Sequence, residues 1–411
     1  MRILIVGGGV GGLTTALALH ARGIEAIVCE QASEIKQLGV GINTLPHAIK
    51  ELADLGLLDA LDAVGIRTSN LIYKTAAGQN ILSQPRGLDA GYDVPQFSIH
   101  RGKLQQVLHD AAVARLGIAN IKTGHRLTKF EQSDDGVTAA LSTDEGEVTL
   151  TGDVLIGADG IHSTVRRHYH GDEGAPSWNG ILMWRGAAMW PRFADGKTMI
   201  IAGGMKAKLV LYPIFNDPNQ SDRTLMNWVV CAKLGDGSTP IPSRENWSKA
   251  GDLNDVMKHV DGVFDLPEVD IEGLIKATEQ NFIYPMCDRD PLDRWTDGRV
   301  TLLGDAAHPM YPVGSNGASQ AILDAVCLAE LLTKHDGPKA LAAYDAARRP
   351  ATTEIVHANR KGGPERVIDL VEERAPDGFD SLDDVATPEE LTALVGAYQQ
   401  MAGFTAEQVN R

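Results

Sequence analysis

The hydrophobic pattern divides the chain into regions of different period. In "RILIVGGGVGGLTTALALHARGIEAIVCE" a short β-type run, Arg2–Val6, is followed by a glycine turn. Apolar residues then recur at helical spacing (Leu13, Ala16, Leu17, Leu19), Gly23 ends the helix, and a second strand is predicted over Ile24–Glu30. Two more strand-sized runs, Val154–Gly157 and Val300–Gly304, each run into a glycine and an acid, at Asp159-Gly160 and Gly304-Asp305. Between about residues 180 and 285 the period drops to two. "GILMWRGAAMW", "TMIIAGG", "AKLVLYPI" and "LMNWVVCAKL" predict strands of a mostly antiparallel sheet. "NLIYKT" and "QFSIH" are expected to join that sheet or its border, with "GQNILSQPRGLDAGYDVP" as the loop between them. Near the C-terminus an acid-rich stretch, "VEERAPDGFDSLDD", precedes a predicted helix with Thr387 as N-cap and Pro388 at its first position. Its apolar face (Leu391, Leu394, Val395, Tyr398, Met401) is expected to dock on its own chain, a dimer contact being the alternative.

Composition narrows the class. At 411 residues, 43% hydrophobic and 22% charged, the chain is an ordinary globular sequence able to bury a sizeable core. Its net charge of −16 argues against nucleic acid or an anionic membrane as partner. No apolar run is long enough to span a bilayer. The N-terminus enters a strand directly, without signal-peptide architecture. The four cysteines are scattered, with no C-x-x-C pair and no zinc-like spacing, which fits a reduced cytoplasmic protein. "HYH" at 168–170 has no further ligands nearby in sequence, so no metal is expected.

The first glycine turn carries chemistry. Gly7, Gly9 and Gly12 occupy the places of G-x-G-x-x-G between a strand and a helix. The first makes the turn, the second lets main-chain N–H groups approach a pyrophosphate, and the third lets helix and strand pack closely. The helix N-terminus adds its positive dipole end. Glu30 ends the second strand where a carboxylate can hold a ribose 2′-OH and would repel a 2′-phosphate. A dinucleotide site follows, but this fingerprint suits FAD and NAD equally. The two later strand ends favour a longer ligand than a nicotinamide dinucleotide alone. No second G-x-G-x-x-G marks a separate NAD domain.

With the Gly7/Gly9/Gly12 fingerprint, "GADGIHSTVR" and "GDAAHPMYPVG" together, the chain resembles the single-component (class A) FAD-dependent aromatic hydroxylases over most of residues 1–360. "YPMCDRDP", "HPMYPVGSNGASQAILDA" and "YDAARRPATTEIVHANRKGGP" look most like the phenazine hydroxylases of pyocyanin biosynthesis and their relatives. The resemblance implies an α/β fold with a Rossmann-like FAD-binding domain of the glutathione-reductase type. Its segments are 1–70, 100–178 and 286–360, interleaved with a mainly antiparallel β-sheet substrate domain at 71–99 and 179–285 and followed by C-terminal helices at 361–411. It implies FAD as cofactor, NADH or NADPH as co-substrate, and hydroxylation of an aromatic or heteroaromatic ring through a C4a-hydroperoxyflavin. The expected protein is a monomer or homodimer.

Cofactor contacts are expected at Gly7, Gly9, Val10, Gly12, Glu30, Gln31, Gly41, Arg101, Asp159, Arg166, Asp305, Pro312, Gly314, Gly317 and Ala318. By the same resemblance Asp305 meets the ribityl chain, Arg101 the phosphate region, and "LGVGINTLPHAIKELADLGL" lies beside the flavin. Many family members carry Asn where this chain has Ser319, so a role for that side chain does not transfer. Main-chain N–H groups around Gly314–Ala318 can stabilise charge on the reduced ring's pyrimidine edge. Tyr311, Met310 and His308 are the candidate catalytic residues. For His308 the favoured alternative is a hydrogen bond beneath the loop that holds its shape, and His47 and His100 are equally ambiguous. Met183, Trp184, Leu211, Tyr212 and Trp228 either face the substrate or, as the sheet pattern favours, pack the core. Arg185 can face a substrate carboxylate. The competing readings are an oxidoreductase of the same fold without oxygen insertion, and a flavin-fold binding protein. The latter gives no reason to keep "GADGIHSTVR" and "GDAAHP" together.

Overall fold

The structure, a computed structural model, describes residues 1–35, 40–238 and 249–411; Leu38 and Gly39 of the loop expected beside the flavin lie outside them. A six-stranded sheet runs in the spatial order Thr296–Asp297, Val300–Leu302, Val154–Gly157, Arg2–Val6, Glu25–Cys29, Ile121–Lys122. All its pairings are parallel except the first. These short β-branched runs are buried on both faces, as parallel sheets covered by helices must be. The helix Val10–His20 buries every residue from Gly12 to Leu19, not one apolar stripe. It is enclosed by the sheet and by the helices Arg101–Leu116 and Gly317–Lys334, and its small residues (Thr14, Thr15, Ala16, Ala18) permit that close approach.

A seven-stranded sheet stands against this layer, ordered Asn281–Asp288, Ser177–Pro191, Arg223–Lys233, Ala207–Phe215, Thr198–Ala202, Asn70–Lys74, Asn80–Pro85. It is antiparallel except where Thr198–Ala202 pairs in parallel with Asn70–Lys74. One expectation changes here: Asn80–Pro85, read as loop, is the edge strand of this sheet. Phe97–His100 takes the border position of its two expected places, pairing with Gly41–Thr44 and Gly65–Arg67 in a three-stranded sheet that packs on Ala207–Phe215. Asn80–Pro85 is half exposed and ends in Pro85, so its pattern resembles a loop although its main chain pairs.

Alternation sorts the large sheet's residues. Trp184, Leu211 and Trp228 point to the far face, packing with Leu182, Leu209 and Val230. Met183, Arg185, Lys208, Val210 and Tyr212 point to the side that meets the first layer. The helix Pro388–Met401 starts at Thr387, whose hydroxyl accepts the Glu390 N–H at 3.2 Å. Its residues Leu391, Val395 and Tyr398 are buried against the same chain. Among the described residues no helix is long and apolar enough to cross a membrane.

Candidate active site

A cavity of about 340 Å³ opens between the two layers and runs from the first glycine turn to the seven-stranded sheet. At its first end the three glycines do different work. Gly7 has φ +112°, and a Cβ there would lie 2.2 Å from the Ala158 carbonyl oxygen. A Cβ on Gly12 would lie 1.9 Å from the Gly7 oxygen. A Cβ on Gly9 meets nothing within 4 Å, because that position faces the cavity together with Val10. Glu30 lies beside this turn, its carboxylate accepting the N–H groups of Gly8 (2.6 Å) and Ala32 (2.8 Å), and Gln31 follows on the surface. Gln105, not anticipated from sequence, donates to the Gly8 carbonyl at 2.8 Å.

Asp305 and Arg101 form the middle of the cavity. Arg101 begins the helix Arg101–Leu116, and its main-chain N–H is fixed on the Val40 carbonyl at 2.8 Å. Burial pulls its guanidinium below its ordinary pKa, while Asp305 and Tyr284 oppose that shift. The enclosing walls raise the Asp305 carboxyl, opposed by His308 and Arg101. Gly41 closes the opposite side. Its N–H donates to Asn227 Oδ1 at 2.7 Å, and a Cβ there would collide with Tyr212 and Asn227.

The loop after Asp305 is held from behind by side chains. Gly314 and Ser315 both lie in the left-handed region, φ +65° and +57°. For Ser315 this is a conformation costing on the order of 1 kcal/mol. The Gly314 N–H donates to Glu365 Oε1 (3.2 Å), and Asn316 Nδ2 donates to the Gly314 carbonyl (3.2 Å) and to Tyr398 Oη (2.9 Å). Tyr398 in turn donates to Asn359 Oδ1 (2.7 Å), and Asn359 Nδ2 to the Tyr311 carbonyl (3.1 Å). Met310, Pro312, Gly314's neighbours Val313 and Ser315, and Gly317 and Ala318 line the cavity. Ser319 instead turns inward, its Oγ accepting the Leu45 N–H at 3.2 Å.

Four predicted site residues take other positions. His308 lies beneath the loop, its Nε2 2.5 Å from Asp324 Oδ2, and Asp324 also accepts from Arg348 Nε (2.7 Å) and the Gly304 N–H (3.2 Å). Burial would raise the Asp324 carboxyl, yet His308 and Arg348 hold it below the usual carboxylate range. This triad fixes the strand end, and His308 does not face the cavity. Tyr311 packs behind the wall with Met183, Tyr284 and Met286. Asp159 caps the helix Thr164–His170, accepting from Ser163 Oγ (2.5 Å) and the Thr164 N–H (2.7 Å). Arg166 is buried and fully engaged by Glu173 and by the carbonyls of Ala306 (3.3 Å), Ala307 (3.1 Å) and Asp290 (3.0 Å). It braces the turn after Asp305, and it reaches the site only through that turn. Of the ambiguous histidines, His47 is buried beside Phe404 and pushed down to about 3 by burial and by Arg348. His100 caps the helix Arg101–Leu116, accepting the Gly102 N–H at 3.1 Å. Among the described residues no group of three His, Cys, Asp or Glu side chains is placed to hold a metal; His168 packs on Phe130.

The sheet end of the cavity is largely apolar, with Arg185, Tyr212 and the Lys208–Glu365 pair as its polar groups. Burial pushes Arg185 down to about 10, with Arg101 acting in the same direction. Lys208 is buried and paired with Glu365, which also faces the cavity. Lys208 and Glu365 were missed from sequence. The alternation Lys208, Val210, Tyr212 is a signal that could have found the first, since a lysine on the face of a strand buried against another layer needs a partner.

The residues fit FAD. The open Gly9 and Gly317 positions leave room for close approach of a ligand to main chain, Arg101 supplies charge, and Asp305 supplies a hydroxyl acceptor. The chain matches the FAD binding domain family over residues 1–236 and 237–359. It is 47% identical over 365 residues to the phenazine 1,6-dicarboxylic acid hydroxylase PhzS of Lysobacter antibioticus, covering 87% of this chain and 89% of that protein. It is 32% identical over 364 residues to 3-hydroxybenzoate 6-hydroxylase 1 of Aquipseudomonas alcaligenes, covering 86% of each. The crystal structure of Klebsiella pneumoniae HpxO with FAD and uric acid superposes with a TM-score of 0.72 at 24% identity, covering 100% of this chain and 95% of that one. The chain therefore belongs to the FAD-dependent aromatic hydroxylases, flavoprotein monooxygenases that typically use NAD(P)H.

Proposed function

We propose that this monooxygenase hydroxylates a planar carboxylated aza-aromatic of the phenazine class, with FAD held between the first glycine turn and the Gly314–Ala318 loop. One observation carries the substrate class. The substrate wall is a largely apolar sheet face that carries the buried Arg185 and the ion pair of Lys208 with Glu365, which suits a flat ring bearing an anionic group. The 47% identical relative is named for such a substrate.

In this reading residues 1–70, 100–178 and 286–360 hold FAD, 71–99 and 179–285 supply the substrate wall, and 361–411 brace the flavin loop. Gly7, Gly9, Val10, Gly12 and Arg101 serve the pyrophosphate, and Glu30 with Gln31 the adenosine ribose. Asp305 takes the ribityl chain. Gly41, Pro312, Gly317 and Ala318 would border the ring, with Gly314 behind them, its N–H turned to Glu365. FAD supplies oxygen activation when bound; the protein orients the substrate ring, excludes water and holds charge. The main-chain N–H groups at the start of the helix Gly317–Lys334 border the cavity and would favour negative charge on the pyrimidine edge of a ring bound there. Met310 is the one residue of the predicted catalytic set that lines the cavity, and it acts as an apolar wall. Four cysteines that form no disulfide among the described residues, three of them buried, support a reducing cytoplasmic setting.

The test is turnover of purified flavoprotein with NADH and NADPH, phenazine-1-carboxylate and phenazine-1,6-dicarboxylate, under ¹⁸O₂. Labelled hydroxyphenazine is the expected product. Reductant oxidation without labelled product, or turnover of monocyclic benzoates alone, overturns the substrate assignment. Asp305→Ala is expected to lose most bound FAD, and full flavin content would refute the ribityl role.

A further inference from the structure

Behind Met199 and Ile201 lies a second space of about 30 Å³, bounded on its far side by Tyr73, Arg86, Gln96 and Phe404. Met199, Ile201, Ser315 and Glu365 line both this space and the main cavity, so they form the partition between them. Arg86 is only 8% exposed. Its Nη2 donates to two neutral oxygens, Tyr73 Oη at 3.3 Å and Gln84 Oε1 at 3.1 Å. Its buried Nε has no hydrogen-bond partner, and among the described residues no carboxylate stands within ion-pair distance.

Three other buried cations differ: Lys74 is paired with Glu268, Arg166 with Glu173, and Lys208 with Glu365. Glu365, the nearest acid on the partition, is committed to Lys208 and to the Gly314 N–H. A guanidinium taken out of water without a counter-charge is costly, and its planar fork matches a carboxylate.

We propose that the space at Arg86 is a carboxylate subsite of the substrate cavity, which receives the second anionic substituent of a planar substrate that carries two. The proposal rests on the carboxylated aza-aromatic reading above and extends it. The space has the volume of about one water molecule, and Met199 is the part of the partition that can yield. Its side chain is unbranched, with three rotatable bonds; it packs beside Leu71, Tyr73 and Ile201, and its one polar contact is the weak one from Gln96 Nε2 to its Sδ at 3.8 Å. Turning it aside joins the two spaces and frees the Gln96 amide to donate to the same carboxylate. Arg185 and the Lys208–Glu365 pair then face the near end of the ligand, and Arg86 the far end.

The experiment titrates the oxidised holoenzyme with phenazine-1,6-dicarboxylate, phenazine-1-carboxylate and phenazine, following the flavin absorbance change in wild type, Arg86→Gln and Arg86→Lys. Wild type is expected to bind the diacid at least tenfold more tightly than the monoacid. Arg86→Gln is expected to bring that ratio within twofold of one while leaving monoacid affinity, FAD content and melting temperature near wild type. Arg86→Lys, which keeps the charge without the fork, is expected to retain an intermediate ratio and serves if the Gln variant does not fold. An unchanged ratio in Arg86→Gln, or an equal loss for all three ligands, overturns the subsite and leaves the space to a bound water. If no phenazine binds wild type, the substrate reading fails separately. The subsite is then decided by the ratio of benzene-1,3-dicarboxylate to benzoate on the same proteins. A diacid preference lost in Arg86→Gln supports it, and no preference in wild type overturns it.

Discussion

The parallel sheet meets the cavity with main chain, whereas the seven-stranded sheet meets it with side chains. At the first, Gly9, Gly304, Gly317 and Ala318 present little beyond backbone, and the charged groups are Arg101 and Asp305. At the second, Met183, Arg185, Met199, Lys208, Val210 and Tyr212 project from alternate positions of adjacent strands. The difference follows from what each surface binds. A phosphate-bearing cofactor common to a whole family is held by N–H groups and helix ends, which any sequence supplies if Cβ atoms are kept away. A particular ring and its substituents are distinguished by the volume and charge of side chains.

Neighbouring residues on one strand give the strongest test. Trp184 is packed on the far face, with its ring 5.0 Å from that of His259. Trp184→Ala is expected to cost about 3–5 kcal/mol of stability, measured by denaturant unfolding, with ligand selectivity retained. Arg185→Met is expected to leave stability nearly unchanged and to weaken carboxylated ligands by about 1.5–3 kcal/mol, tenfold or more. Equal effects of the two changes on stability would remove the division between the sheet faces.

The glycine turn has a matching contrast. Gly12→Ala puts a Cβ against the Gly7 carbonyl and is expected to destabilise by about 3 kcal/mol or more. Gly9 has φ −77° and open space at its Cβ, so Gly9→Ala is expected to fold normally. Its FAD affinity should fall at least about tenfold, or about 1.4 kcal/mol. Isothermal titration of apoprotein with FAD separates the two; a Gly9→Ala protein with wild-type affinity would show that the main chain does not touch cofactor there.

His47 gives a pH test of the first layer. The native imidazole resists protonation until about pH 3, while the unfolded one takes a proton near its ordinary value of 6.5. Between those values the unfolded state binds more protons, so stability falls as pH falls. The full contribution is present above pH 6.5 and is lost at up to about 1.4 kcal/mol per pH unit below it. His47→Gln is expected to flatten that slope in pH-dependent melting, and an unaltered slope would place the titration elsewhere.

The smallest effect is expected at Tyr398. Tyr398→Phe removes the hydroxyl that joins Asn316 to Asn359, at a cost of about 1 kcal/mol. Because these bonds set the flavin loop, more hydrogen peroxide should form per NAD(P)H oxidised. Coupling at the wild-type level with only a lowered melting temperature would make the hydroxyl purely structural.

Much of the first layer was legible in the chain. Gly7, Gly9 and Gly12 stand at one turn, and Val154–Gly157 and the strand leading to Asp305 fall beside it, as their apolar runs and glycine-acid ends require. Such features are local: turn geometry, strand length and a helix N-terminus each depend on a few consecutive residues. His308 shows the limit, because "GDAAHP" places it next to Asp305 in sequence but its direction is decided by Asp324 and Arg348, 16 and 40 residues away. Tyr311 and Arg166 were displaced from the site for the same reason.

The substrate wall was legible only as strands. Alternation says that Trp184 and Arg185 face opposite ways, but which of them sees the cofactor depends on the side from which the parallel layer approaches. Lys208 meets Glu365 across 157 residues, and Tyr398 reaches the flavin loop from a C-terminal helix whose apolar face gave no hint of its hydroxyl's partners. By itself the sequence determined the strands that flank the cofactor turn, the turn itself and the family, because these rest on short-range geometry that recurs wherever the residues do. Only the tertiary structure decided which side chains enter the cavity and which brace it, because burial and pairing are properties of segments that meet in space.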